Sequence, residues 1–492
     1  MIIRWVCEKD NKKWLYPIAK CIYCKGQITK QKSSKAKIIG ITKVNIPSPM
    51  HPIIPYYVML LEDENGNRMP KKTMEEHEIG EDYALEKAKT DGAVIITKIK
   101  YDIAEALGEA LNLLSSYDIG ERDKVLIKPS IIEPAYGYQA ATTNPRLLDA
   151  LIAFLKNKRI KDVVVAEQAM LGNDVIESAK KAGILDICKK HEINFIDLSK
   201  SKYVEKNEEG FNFRIAKEVM ERKIINVPVM KTNSQIGISG AMENIVRVVD
   251  EDTQKRMFNE DIEKTLPKLI KVIPEFLTIG DATIGMQGQG PTLLGEPAFL
   301  NMIFVSKDPV AVDAVFTEAG MLPMPKYLKE AAAINIGSND TKKIEIVGDE
   351  LEAIKFHLKP AEKNATYHPN IKLIDGKANP YIFNTALMMS AKLVGILGHE
   401  MHMVIGTYLT REMFDDKNRI VVYGDNAIRK INDLNIKALA EISEDMDDIE
   451  KVVLLKGILE NSEKRKVTVT DRLKSKMAKF GSKIKGNYNE NL

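Results

Sequence analysis

Short apolar runs alternate with segments of helical period through the middle of this chain, and that rhythm predicts its architecture. Ala93-Val-Ile-Ile-Thr97, Lys124-Val-Leu-Ile-Lys128, Val163-Val-Val-Ala-Glu167 and Asn194-Phe-Ile-Asp197 read as strands. Between them, Ile103 to Leu114, Pro145 to Leu155 and residues 174–189 carry apolar positions at helical spacing. Asn144 is suited to cap the second of these, and Pro145 to start it. Farther on, the apolar run Ile224–Met230 follows a short helix at 215–222, and a helical stretch begins at Asp261. Phe276–Asp281 and Leu300–Val305 are two more strands, and Asp308-Pro309 opens a helix to Ala319. This alternation predicts an α/β fold, with a mostly parallel, doubly wound sheet over residues 92–375.

The flanks follow other patterns. Residues 1–35 are rich in Cys and Lys and lack apolar periodicity, whereas residues 36–85 read as β structure. There, Asn65-Gly66 is expected to form a type I′ hairpin turn. A smaller α/β extension is expected over 378–461, with a strand at Arg419–Asp425. Tyr381–Leu397 reads as a buried helix and not a membrane span, because Asn384 and Lys392 interrupt it. The tail, 462–492, is basic, with Leu473, Met477, Phe480 and Ile484 along one helical face. Docking on the parent domain or disorder is expected there, with weak lipid or nucleic-acid contact as the other reading.

Charge and cysteine content narrow the picture. Among 492 residues, 72 Lys and Arg oppose 69 Asp and Glu, so the whole molecule has no strong steering toward nucleic acid. Four cysteines, three before position 25, suit a reduced cytoplasmic protein better than a disulfide framework. No secretory leader pattern opens the sequence, so secretion is not expected.

Several groups could carry chemistry. Cys7-x2-Asp10-x10-Cys21-x2-Cys24 has the spacing of a zinc ribbon, with an aspartate where a fourth thiolate is usual. Structural zinc on Cys7, Asp10, Cys21 and Cys24 and a metal-free knuckle both fit. Lys128, Glu167, Lys231 and Asp281 each end an apolar run. In a parallel sheet they would gather at one edge, as candidate catalytic residues acting on an anion or moving a proton. A mutual salt-bridge network is the alternative. Beside Lys231, the segment carrying Thr232, Asn233, Ser234, Gly240 and Asn244 is a candidate ligand-binding turn. Gly288 and Gly290, in Gly285-Met-Gln-Gly-Gln-Gly-Pro291, would let a backbone approach a ligand or make a tight turn. Asp308 is an expected N-cap and a candidate ligand contact; Asp313 is expected to be a packing or solvent residue, or to assist at the site if its helix points there. His399 and His402 are one residue closer than a zinc-protease pair and read as neighbours on a helix.

Two resemblances follow from these pieces. Cys7-Glu-Lys-Asp10, Trp14-Leu-Tyr-Pro17, Cys21-Ile-Tyr-Cys24 and the β region to Tyr83 resemble the zinc-ribbon and OB-fold family called domain of unknown function 35. That resemblance implies acyl-CoA binding or a bridging role beside acyl-CoA enzymes. Residues 92–350 resemble the domain of unknown function 362 family. The matching pieces include Val125–Pro129, Thr142-Thr-Asn-Pro145, Asn226–Thr232, Gly240-Ala-Met-Glu-Asn244, Gly288–Pro291 and Asp308–Asp313. Departures from it are Asn233, where a histidine is expected, and Glu243, where a lysine is expected. Many members carry ferredoxin-like cysteines, but Cys188 is the one cysteine beyond the ribbon, so no intrinsic iron–sulfur cluster is expected. The leading expectation is a binder, and potential transformer, of a small anionic metabolite or acyl-CoA thioester. A non-catalytic acyl-CoA or metal-handling scaffold is the second reading. An OB-fold nucleic-acid binder is the third, weakened because adjacent Tyr56 and Tyr57 face opposite sides of a strand.

Overall fold

The computed structural model describes residues 2–170, 173–362, 366–368, 370–393, 400–415, 419–446 and 448–460. The basic tail and His399 therefore lie outside the described residues. The chain forms two compact units, one of Met1–Ala169, Asn173–Asp250 and Leu266–Pro360, the other of Met170–Gly172, Glu251–Thr265 and Ala361–Leu492.

The first unit is built on an eleven-stranded sheet. Its main path runs Asn194–Asp197, Asp162–Glu167, Lys124–Pro129, Lys223–Val227, Phe276–Gly288, Met302–Ser306, Val94–Lys98, Ile346–Gly348. Neighbours on this path are parallel except on both sides of Met302–Ser306, which runs against the rest. The α/β expectation holds, with helices covering a mostly parallel sheet. Ile103–Leu113 and Pro145–Asn157 supply Leu107, Leu111, Leu148, Leu151 and Ile152 to one buried cluster with Val125, Ile127, Val163 and Val165. Each such side chain contributes about 1.5–3 kcal/mol by leaving water. Helix Pro309–Ala319 is buried at every position but Glu318, so its apolar character runs all round.

Strand direction fixes which residues share an edge. Val94–Lys98 and Ile346–Gly348 run with the parallel group, so Lys98, Lys128, Glu167 and Asp349 all lie at the carboxyl edge. Ser306 lies opposite Thr278, so Asp308 falls at the other edge. The run 224–230, expected as one strand, breaks at Pro228 into Lys223–Val227 and Val229–Asn233, because proline offers no N–H to the ladder. The second strand pairs with a later part of Phe276–Gly288 and carries Lys231 within it. A hairpin, Tyr203–Glu208 with Phe211–Ala216, was not expected from the sequence.

Two small sheets precede this core. Lys13–Trp14, Ile2–Cys7 and Ile28–Ser33 form an antiparallel ribbon. Arg68–Thr73, Tyr56–Glu62, Lys35–Val44 and Asp82–Ala84 form a four-stranded antiparallel sheet. Its hairpin turns through Asn65-Gly66, but the expected type I′ turn gives way to a loop over 63–67: Gly66 has φ 68°, Asn65 is not at positive φ, and the Asp63 carboxylate accepts from the Asn65 and Asn67 amides.

The second unit holds a five-stranded sheet, in order Thr366–His368, Ile371–Gly376, Met401–Gly406, Ile420–Tyr423, Ala440–Ile442, parallel after its first pair. His402 lies on the strand Met401–Gly406, which corrects the helical reading of its neighbourhood. Among the described residues, no helix is long and apolar enough to cross a membrane.

Candidate functional site

Lys128 and Glu167 end adjacent parallel strands, so their side chains meet without any loop to position them. They form an ion pair in which both side chains are fully buried. Burial pushes Lys128 down to about 8 and Glu167 up to about 7, each against the pull of the other. One oxygen of Glu167, Oε1, accepts no hydrogen bond.

Lys231 feels the charge of Glu167 and is 1 % exposed. Its nearest polar contacts are long, 3.5 Å to Ser130 Oγ and 3.4 Å to the Ala141 carbonyl. No carboxylate approaches it within ion-pair distance among the described residues. Burial is the main cause that lowers its pKa to about 7, opposed by Glu243 and raised further by Glu133 and Glu167. Lysine tuned this far is able to exchange a proton near neutrality.

Two residues that the sequence reading did not select complete the centre. Glu243 and Arg247, both buried, face each other at 3.6 Å across one helical step. Arg247 lowers the pKa of Lys128, Glu167 and Lys231 alike. The available signal was a pair of opposite charges four apart inside the apolar stretch Ala241-Met-Glu-Asn-Ile-Val-Arg247. Several atoms in and beside this centre make no hydrogen bond: Glu167 Oε1, Arg247 Nη1, Asn244 Oδ1, Ser234 Oγ and Thr142 Oγ1. Unpaired polar atoms are rare in folded interiors, and a concentration of them marks a place for a polar ligand or ordered water.

The other selected residues are placed differently. Asp281 is buried, and its oxygens accept from the Asn144 amide at 2.7 Å and from the Thr283 amide and hydroxyl at 3.0 and 2.6 Å. It anchors the Thr142–Pro145 loop, and burial raises its pKa despite those bonds. Asn244 donates to the carbonyls of Lys128 and Pro129 and to Asn226, tying the strand ends together. Asn233 closes its own turn, accepting from Gln235 and Ile236 and donating to Ser239. Thr232 donates to the Gly288 carbonyl at 2.9 Å, and the Ser234 amide to the Gly290 carbonyl at 3.0 Å. A side chain at Gly290 would collide with the Thr232 carbonyl. That glycine loop therefore packs backbone against backbone. Asp308 is the N-cap expected of it: it lies at the edge opposite Lys128 and Glu167 and caps Pro309–Ala319, accepting from Val310, Ala311 and Ser338 amides.

Asp313 is a buried capping group. It accepts from the Ala241 and Met242 amides and from the Tyr327 hydroxyl, and burial raises it to about 7. Any side chain at Gly240 would run into the Asp313 carboxylate, so glycine is required there.

A second group sits in the ribbon. One donor atom from each of Cys7, Asp10, Cys21 and Cys24 lies within 4.8 Å of the others, so the set could hold a metal ion. Cys7 Sγ and Cys24 Sγ are 3.4 Å apart, as are Cys21 Sγ and Asp10 Oδ2. These spacings suit a tetrahedral ion with metal–sulfur bonds of about 2.3 Å. Burial pushes the Cys7 thiol up to about 11, and the Cys7 thiol beside Asp10 holds that carboxyl down to about 2.

Residues 125–318 match the family model described as Domain of unknown function (DUF362). Among solved structures, the chain is similar to one titled "Ltp2-ChsH2(DUF35) aldolase", at 18% identity over 18% of this chain and 76% of that one, with a TM-score of 0.15. Similarity at that level carries no structural argument. A search of curated proteins found no match.

Proposed function

We propose that the protein binds, and transforms by proton transfer, a small anionic metabolite or acyl-CoA-type thioester at the strand ends around Lys231. The observation that carries this reading is Lys231 itself, buried without a carboxylate partner beside unpaired atoms of Arg247, Glu167 and Asn244. Lys231 and Arg247 would take an anionic or carbonyl oxygen. Glu167 and Asn244 would accept from a hydroxyl or amide of the same ligand. In this reading Lys231 carries the proton, and Lys128 with Glu167 sets its charge environment.

Native mass spectrometry of the purified chain and calorimetry with acetyl-CoA test it, on the wild type and on Lys231→Met. The expected result is a bound small molecule or acetyl-CoA binding, weakened at least tenfold in the variant, which still melts no lower than the wild type. If the wild type holds neither and Lys231→Met melts lower, the charges are a sealed structural network and the reading fails. The full burial of the Lys128–Glu167 pair favours the second reading, a non-catalytic scaffold beside an acyl-CoA enzyme.

For the ribbon, the fit of three sulfurs and one carboxylate supports structural zinc, with no part in the reaction. Metal analysis should give about one zinc per chain. Asp10→Ala should lower that content, and zinc far below one equivalent in the wild type would reject the assignment. A cytoplasmic setting accords with reduced thiolate ligands.

A further inference from the structure

We propose that a second site exists, a cleft at the carboxyl edge of the main sheet that binds an amphipathic organic anion through Arg146 and Phe299. The cleft, of about 620 Å³, opens between the start of helix Ile103–Leu113, the start of helix Pro145–Asn157 and the strand residues around Thr283 and Asn301. That volume suits a small organic ligand. Neither Lys128, Glu167 nor Lys231 lines it, so it is independent of the centre described above.

Its walls are mostly apolar. Ile99, Ile103, Ala150, Ala153 and Ile284 line it, and Phe299 stands at its side 65 % exposed. A large aromatic left in water beside an apolar hollow lacks a covering group, and a flat or aliphatic ligand body would supply one. The charged groups in the cleft are unequal. Asp149 is occupied twice over, by Lys190 at 2.8 Å and by His191 at 2.6 Å. Asp102 accepts from the Glu105 amide at 2.7 Å as a helix cap. The Arg146 guanidinium makes no ion pair or side-chain hydrogen bond among the described residues, though it lines the same hollow.

The backbone beneath Arg146 is held in place. Asn144 Oδ1 accepts from the Arg146 amide at 3.0 Å, while Asn144 Nδ2 donates to Thr283 Oγ1 at 3.0 Å. The Asn144 amide in turn is held by Asp281. A guanidinium with its two-pronged donors on a fixed base, at the mouth of an apolar hollow, is suited to a carboxylate, sulfonate or phosphate head. Thr142-Thr-Asn-Pro145 thereby gains a role: it sets the position of the residue that follows it.

Fluorescence titration of the full chain with two probes tests the site. One is 8-anilinonaphthalene-1-sulfonate, an amphipathic anion; the other is N-phenyl-1-naphthylamine, its uncharged counterpart. The wild type should bind the anion with one-to-one stoichiometry and at least tenfold preference over the neutral probe. Arg146→Ala should remove that preference, and Phe299→Ala should weaken both probes together, with thermal melts unchanged in either variant. An Arg146→Ala protein that keeps the anion preference, or a Phe299→Ala protein that binds both probes as before, overturns the proposal.

Discussion

Two buried lysine–carboxylate pairs stand at the same edge of the main sheet, and they are tuned in opposite directions. Asp349 receives Lys71 at 3.3 Å, Lys100 at 3.9 Å and the Lys98 amide at 2.8 Å. Burial works against its charge, but Lys100 and Lys71 outweigh it and hold the carboxyl down to about 2. Lys71 also donates to the Gly348 carbonyl, and despite burial its pKa is raised. Glu167 has one lysine and a second oxygen without a partner, and Lys128 shares its surroundings with Arg247 and Glu243. Both members there are pushed toward their neutral forms. Burial is common to the two pairs; the number of donors around the carboxylate decides which one behaves as a fixed structural charge and which as a titrating centre.

The contrast can be broken at either end. Asp349→Ala removes the partner of a buried cation and should cost about 3–5 kcal/mol in urea unfolding. A loss under 1 kcal/mol would show that water already screens Lys71. Replacing the other pair as a unit, Lys128→Met with Glu167→Leu, should leave stability unchanged or raise it by about 1–4 kcal/mol, while either single change destabilises. A double variant weaker than both singles would mean that the pair holds the strand ends together.

Lys231 sharpens the same contrast through pH. Its folded pKa of about 7 lies below the ordinary 10.5, so between those values the unfolded chain binds the extra proton. Stability should therefore rise with pH across that window, by up to about 1.4 kcal/mol per unit. Lys231→Met should flatten the slope, its advantage being complete below pH 7 and gone above 10.5. Asp349 gives a slope of the same sign in a different window, its contribution being lost only as pH falls from 3.8 through about 2. Equal slopes for Lys231→Met and the wild type would place the lysine in contact with water.

Much of this arrangement could be read before any coordinates. Apolar runs ending in Lys128 and Glu167 gave their strands, and parallel pairing followed from the alternation, so their meeting was predictable. The cap at Asp308 was legible from Asp-Pro, but the edge it stands at was not, because strand direction leaves no mark on a short apolar run and Met302–Ser306 is the reversed one. Asp281 and Asn233 looked like free polar groups in sequence, yet main-chain amides occupy their oxygens. Backbone partners carry no side-chain signature, so such saturation is invisible in a list of residues. Glu243 and Arg247 were legible as a pair, but only burial shows that they face the centre.

The contact between Gly240 and Asp313 has a wider consequence. Residues 241–247 carry Glu243, Asn244 and Arg247, and their first amides hang on a carboxylate borne by Pro309–Ala319. A methyl group at position 240 would alter no charge. It would nonetheless tilt the whole segment, and the error would be felt where Arg247 and Asn244 must be aimed.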